Sequence, residues 1–171
     1  MSKKPAFDPY ALLEALDRER VSFVVVGGFA RVVHGSAETT AGLDIVPSLR
    51  EENLRRLARV LDALEARGPD RRPVDAESLA STAPIDARTR AGELRIVPTP
   101  WGTRGYDDLR IRASRENLGR GARPAIASVV DCVRMLEASD RDPDAERLQR
   151  LRRLMELERQ RVPHRRLTIE R

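Results

Sequence analysis

The sequence predicts one mixed domain, α/β or α+β, in which short buried strands alternate with amphipathic helices. Three observations point there. β-Branched and apolar runs fall at 22–26, 43–46 and 93–97, each stopped by Gly or Pro. Leucines recur at helical spacing between those runs. A length of 171 residues with 40% hydrophobic side chains suits one core, burying roughly 70% of the unfolded surface.

Taken in order, residues 9–20 place Leu12, Leu13 and Leu16 on one helical face, and Asp8-Pro9 offers the start. Residues 22–26 read as a strand that Gly27-Gly28 ends. A helix over 29–34 follows, closed by Gly35, and then a strand over 43–46 stopped by Pro47. Ser48 and Glu51 have the Ser-x-x-Glu spacing of a capping box. The helix they open carries Leu54, Leu57, Leu61 and Leu64 and runs to Gly68-Pro69. Residues 68–92, rich in Pro, Asp and Arg, predict a short helix or strand between loops. A strand over 93–97 precedes the breaker-rich Pro98–Gly102 stretch. A helix over 125–137 aligns Val129, Val133 and Leu136, and Asp142-Pro143 supplies a start for a last helix. Leu148, Leu151, Leu154 and Met155 form a stripe on that helix, a pattern typical of core packing.

Composition removes several classes. No apolar run approaches the roughly 20 residues of a membrane helix, and no secretory signal follows Met1-Ser-Lys-Lys. A single cysteine, Cys132, excludes an internal disulfide and cysteine-rich metal modules. Together these predict a cytoplasmic protein. The net charge of +5 is carried by 30 arginines and two lysines against 27 acids. Residues 146–171 hold nine arginines and four acids, so the whole excess lies at the C-terminus. Such a basic end can contact phosphates, and a solvated helix with a tail explains it equally.

The informative stretch runs from Phe23 to Pro47. A buried strand meets Gly27-Gly28 at a helix start, a geometry in which backbone N–H groups can approach a phosphate. On the next strand, residues 42 and 44 share one face while Leu43 and Ile45 point to the core. Asp44 therefore projects toward whatever the glycines cradle.

These residues resemble the nucleotidyltransferase fold of the DNA polymerase β superfamily, nearest its small bacterial members: minimal nucleotidyltransferases and type IV toxin-like proteins. Gly27-Gly28-Phe-Ala30, His34-Gly35 and Thr40-Ala-Gly42-Leu-Asp44-Ile-Val match the family's order of Gly-Gly, His-Gly and a Thr before the catalytic strand. Residues 48–68 look like the following helix, 89–98 like the strand bearing the third carboxylate, and 102–109 and 127–144 like later segments. The resemblance covers residues 20–150. It implies an α+β fold, a small mixed sheet flanked by helices, with a nucleotidyltransferase-like domain over 1–145 and a basic helix and tail over 146–171.

It also implies a chemistry in which three carboxylates hold two Mg²⁺ ions on a nucleoside triphosphate. Carried across, the first carboxylate falls on Gly42, the second on Asp44 and the third on Arg95, and the family arginine before the motif falls on Glu38. Only Asp44 is left, enough for a single Mg²⁺ already bound to a triphosphate and too little for two-metal catalysis. Glu93 shares the face of Arg95 but lies two residues away, roughly 6.6 Å along the strand. Glu38, Asp107 and Asp108 are loop acids of unassigned position. Two roles fit Arg95: a guanidinium that binds phosphate in place of a metal's charge, or an ion pair with Asp44 that fills an abandoned site.

The resemblance thus predicts a catalytically degenerate member that binds a nucleotide, an RNA such as tRNA, or a protein. Gly27, Gly28, Thr40 and Arg95 are its phosphate ligands, and Mg²⁺ is weak or absent. One alternative is an active, toxin-like transferase with a rearranged metal site. Another is an interaction or scaffold protein, or a homo-oligomer, acting through the 144–161 helix. Arg104, between Trp101 and Tyr106, and Arg152, Arg153, Arg165 and Arg166 are candidate RNA or partner contacts. His34 reads as structural, and Cys132, with no nearby His, is not a nucleophile.

Overall fold

The computed structural model describes residues 6–139 and 145–161. A six-stranded mixed sheet runs in the order β3-β4-β2-β1-β6-β5. Its strands are β1 (Phe23–Val26), β2 (Gly42–Pro47), β3 (Ile85–Thr89), β4 (Gly92–Ile96), β5 (Ser114–Arg115) and β6 (Ala125–Ile126). The β2–β4 and β1–β6 pairs are parallel and the other three antiparallel. Seven helices flank it: α1 (Pro9–Arg18), α2 (Gly27–Val33), α3 (Glu51–Ala63), α4 (Ala76–Leu79), α5 (Tyr106–Leu109), α6 (Val129–Ala138) and α7 (Ala145–Arg161). The architecture is α+β, as the sequence predicts.

The alternation expected on β2 holds: Leu43 and Ile45 are fully buried while Gly42 and Asp44 are half-buried. Leu94 and Ile96 repeat the pattern on β4 beside Glu93 and Arg95. Leu12 and Leu16 of α1 and Leu57 and Leu61 of α3 join this apolar face in one core. Asp8 caps α1, its Oδ1 accepting from the Ala11 N–H at 3.1 Å, and Pro9 opens the helix. α2 lies against β1 and β2 and touches α6, while α1 packs against β2 and β4.

Several local expectations are corrected. Gly27-Gly28 forms the first turn of α2, not a separate turn before it. The Ser48–Glu51 capping box does not form; Arg50 stands at the N-cap with no side-chain bond. Ser48 is held in the strand exit, its N–H donating to Ser22 O at 3.0 Å and its carbonyl accepting from Asn53 Nδ2 at 2.8 Å. Asn53 also accepts from Ser22 N at 2.7 Å and donates to Ser22 O at 2.9 Å. Three bonds from one buried amide, two of them to a residue far along the chain, outweigh one local cap. α3 stops at Ala63, with Leu64 as its C-cap and not Gly68. The 68–92 segment holds both α4 and β3. β3 and β4 form a hairpin, in which Thr89 Oγ1 accepts from Ala91 N–H and donates to Gly92 O. Residues 125–126 are strand β6, so α6 starts later than the 125–137 helix expected, at Val129 with Ser128 as N-cap. Leu151 of α7 is buried, and α7 packs along α6. Asp142-Pro143 lies outside the described residues.

Candidate functional site

Register brings the motif residues together. On parallel strands β2 and β4, Asp44 stands opposite Arg95 and Gly42 opposite Glu93. Antiparallel β3 adds Asp86 beside Arg95 and Arg88 beside Glu93. One face of three strands therefore carries two rows: Asp44–Arg95–Asp86 and Gly42–Glu93–Arg88. A cleft of about 460 Å³ opens over them, with Thr40 at its rim. Asp86 and Arg88 are not among the residues the sequence marks, because β3 lies in the Pro-, Asp- and Arg-rich 68–92 segment. The only local signal is the alternation of Ile85, Ala87 and Thr89 with those two charged residues.

The cleft's electrostatics centre on Asp44. Burial pushes its carboxyl above the ordinary value of 3.8, and the nearby charges of Arg95 and Arg31 pull the other way. Arg95 does not pair with Asp44 as one expectation had it; its Nε lies 3.1 Å from Asp86 Oδ1, because β3 presents that acid directly alongside. The contact is off the N–H direction, so the buried Nε makes no hydrogen bond. Among the described residues none donates a hydrogen bond to Asp44, and its carboxylate instead lies over Gly27. A Cβ on Gly27 would stand 2.3 Å from Asp44 Oδ2, and φ is +68° there, so only glycine fits.

Gly28 is also covered. A Cβ there would meet Glu38 Oε1 at 3.2 Å, Thr40 Oγ1 at 3.5 Å and Arg31 Nη2 at 3.6 Å. Glu38 accepts from both Nε and Nη2 of Arg31, and Ser36 Oγ donates to it at 2.7 Å. Glu38 is thus clamped to an arginine seven residues earlier, on α2. Thr40 Oγ1 donates to Gly42 O at 2.9 Å and braces the entry to β2.

The remaining candidates lie elsewhere. His34 Nε2 is 2.7 Å from Ala127 O and ties α2 to the end of β6, in line with its structural reading. Arg104 uses its N–H to bind Asp108 Oδ2 at 2.9 Å, and that acid also pairs with Arg134. Asp107 pairs with Arg110. Both acids lie in α5 and not in a loop as expected, and neither lines the cleft. Trp101 is exposed. Burial pushes the Cys132 thiol up to about 12, so it is not a thiolate. Arg152 pairs with Glu137 at 2.6 Å, Arg153 is exposed on α7, and Arg165 and Arg166 lie outside the described residues. Among the described residues no three His, Cys, Asp or Glu side chains converge as a metal site, and none of the helices is long and apolar enough to cross a membrane.

No family model and no curated protein matches this sequence. Solved structures do. The chain is similar to the antibiotic-resistance factor ANT(2'')-Ia in solution, with TM-score 0.54 and 15% identity over 88% of this chain and 90% of that one. A crystal structure of ANT(2'')-Ia in complex with adenylyl-2''-tobramycin gives TM-score 0.55 and 14% identity over 87% and 86%. A Thermotoga maritima protein assigned as a candidate nucleotidyltransferase gives 0.51 and 14% over 88% of each chain. The fold is that of the nucleotidyltransferases.

Proposed function

With the nucleotidyltransferase fold as premise, we propose that this protein binds a nucleotide in the cleft over β2 and β4 and does not transfer it. The observation that carries this reading is the Asp44–Arg95 register. A guanidinium with a buried, unbonded Nε stands where the fold's third metal carboxylate is expected. Fixed beside a phosphate, that guanidinium supplies charge and paired donors, but it cannot activate an attacking hydroxyl as a metal does. The donor set does not suit two Mg²⁺ ions: position 42 offers no side chain and position 95 repels a cation. The ANT(2'')-Ia complex with an adenylylated product shows that a neighbouring fold member accommodates a nucleotide moiety. Arg95 and Thr40, which line the cleft, are the ligands assigned here, and Arg88 adds a second cation at the rim; the glycines at 27 and 28 lie beneath Asp44 and Glu38, outside that lining.

One observation favours a second reading, an active enzyme with a rearranged metal site. Glu93 stands directly beside Gly42, so Asp44 and Glu93 flank the same cleft. The third reading, a scaffold acting through its last helix, gains less support, because Leu151 of that helix is already buried within the chain.

Thermal melts with each nucleoside triphosphate, with and without Mg²⁺, separate the three. A ligand that binds only the folded state must raise Tm. Binding without transfer predicts a Tm rise that survives Mg²⁺ removal and disappears in Arg95→Ala. A rise that demands Mg²⁺, with label transferred to tRNA or to the protein itself, would establish the enzyme and direct attention to Glu93. No response to any nucleotide would sink the binding reading and leave the scaffold.

A further inference from the structure

A second cavity, of about 650 Å³, lies at the opposite edge of the sheet between α1, α5 and the β5–β6 hairpin. We propose that it is a docking surface for the phosphodiester backbone of a nucleic acid, gripped by Arg20, Arg115, Arg120 and Arg123. All four line the cavity, and no carboxylate pairs with any of them among the described residues. The acids on the facing wall are largely committed elsewhere: Asp8 caps α1 and Glu14 pairs with Arg18 at 2.8 Å, leaving Asp17. The unneutralised charge at this cavity is therefore positive. It is also distinct from the C-terminal basic helix.

The hairpin holds its arginines in place. Arg115 Nη1 donates to Arg123 O at 3.1 Å across the two arms. The Arg120 guanidinium sits 4.7 Å above the Tyr10 ring, whose hydroxyl donates to Leu118 O at 2.7 Å and pins the tip to α1. Gly119, Arg120 and Gly121 all have positive φ, +86°, +51° and +79°. An arginine is disfavoured in that region, and such strain gathers at ligand-gripping loops. Four guanidiniums from a loop, a strand and a hairpin tip make spaced point contacts, the pattern that repeated phosphates demand. β5 and β4 are four strand spacings apart, about 19 Å, so a strand docked here leaves the Arg95 cleft accessible.

The test is fluorescence anisotropy of the full chain with a labelled single-stranded RNA and the DNA of the same sequence, across a salt series. Among the described residues the Arg20 and Arg123 side chains make no hydrogen bond or ion pair, so Arg20→Gln with Arg123→Gln is the decisive variant, its folding checked by thermal melt. We expect it to weaken binding about tenfold and to flatten the log–log salt slope by about 1.4, the share of two phosphate contacts. Arg115→Gln should weaken binding further, and Arg152→Gln with Arg153→Gln should change it less than about twofold. Native-like binding by the Arg20/Arg123 variant overturns the proposal, as does a loss confined to the α7 variant. Inorganic triphosphate competing as well as either strand would make this a small-anion site and overturn it too. Absence of binding by the native chain would do the same. Preference for RNA or DNA identifies the strand.

Discussion

Asp131 on α6 and Asp44 on β2 are both acids taken largely out of water, and the chain treats them in opposite ways. Asp131 is fully buried, and every oxygen is used. Ser128 Oγ donates to it at 3.0 Å, Arg112 Nη1 lies at 3.3 Å and Arg134 Nη2 at 3.0 Å, while its own N–H bonds back to Ser128. Asp44 accepts no hydrogen bond among the described residues, and its neighbouring cations Arg95 and Arg31 pair with Asp86 and Glu38. A buried charge that is fully satisfied holds a fold together; one left unsatisfied carries a desolvation cost that an incoming donor or cation can relieve. The comparison separates a structural acid from a site.

The largest expected effect tests the structural half. Asp131→Ala leaves Ser128 as the cap of α6 but takes a carboxylate from Arg112 and Arg134, of which only Arg134 keeps another, Asp108. With those guanidiniums partly open to water, we expect a loss of about 2–3 kcal/mol in urea unfolding; a loss below about 1 kcal/mol would erase the contrast. Next comes the position beside Asp44. In Gly42→Asp the new Cβ would stand 3.0 Å from both the Cβ and the backbone oxygen of Glu93. We expect it to cost about 1–2 kcal/mol, so restoring the expected first carboxylate strains the β2–β4 pairing instead of simply rebuilding a metal site.

A smaller effect comes from Asp44→Asn. Because burial raises the folded-state pKa of Asp44 above 3.8, the folded chain binds more protons than the unfolded one just above that pH. Native stability should therefore fall as pH rises from about 3.8 through the raised value, and the variant should lack this fall. At neutral pH the variant should be at least as stable as the native chain by denaturant melts. It should also bind triphosphate more tightly without Mg²⁺, whereas loss of binding would favour a metal-bridged site. The smallest effect is at Cys132, beside Asp131. Its thiol, raised to about 12 by burial, should resist alkylation at pH 8 until the protein unfolds, and Cys132→Ala should leave nucleotide binding unchanged.

Much of the site was legible before any coordinates. Apolar alternation at Leu43 and Ile45 placed Asp44 on the open face, and the resemblance aligned Arg95 with it; the register agrees. Asp86 and Arg88 stayed hidden because β3 is built on Ile85, Ala87 and Thr89, of which only Ile85 is strongly apolar, so the hydrophobic alternation is weak. The Ser48 signal misled because a capping box is a local pattern, and the buried Asn53 amide captured that loop through partners on another strand's approach. The hairpin arginines at 115, 120 and 123 were visible as three letters among 30 arginines, with nothing local to mark that they share a cavity with Arg20.

The sequence by itself determined the elements: Val-rich β1, the alternating β2, the leucine face of α3 and the α+β class follow from periodicities of two and 3.6 that any short window displays. Tertiary structure alone decided who stands beside whom. Arg95 turns to Asp86 instead of Asp44 because β3 folds back on β4, and Glu93 lies against Gly42 because β4 enters parallel to β2 from some fifty residues away. Strand register between distant segments depends on the whole core closing at once, and no local window of the chain contains it.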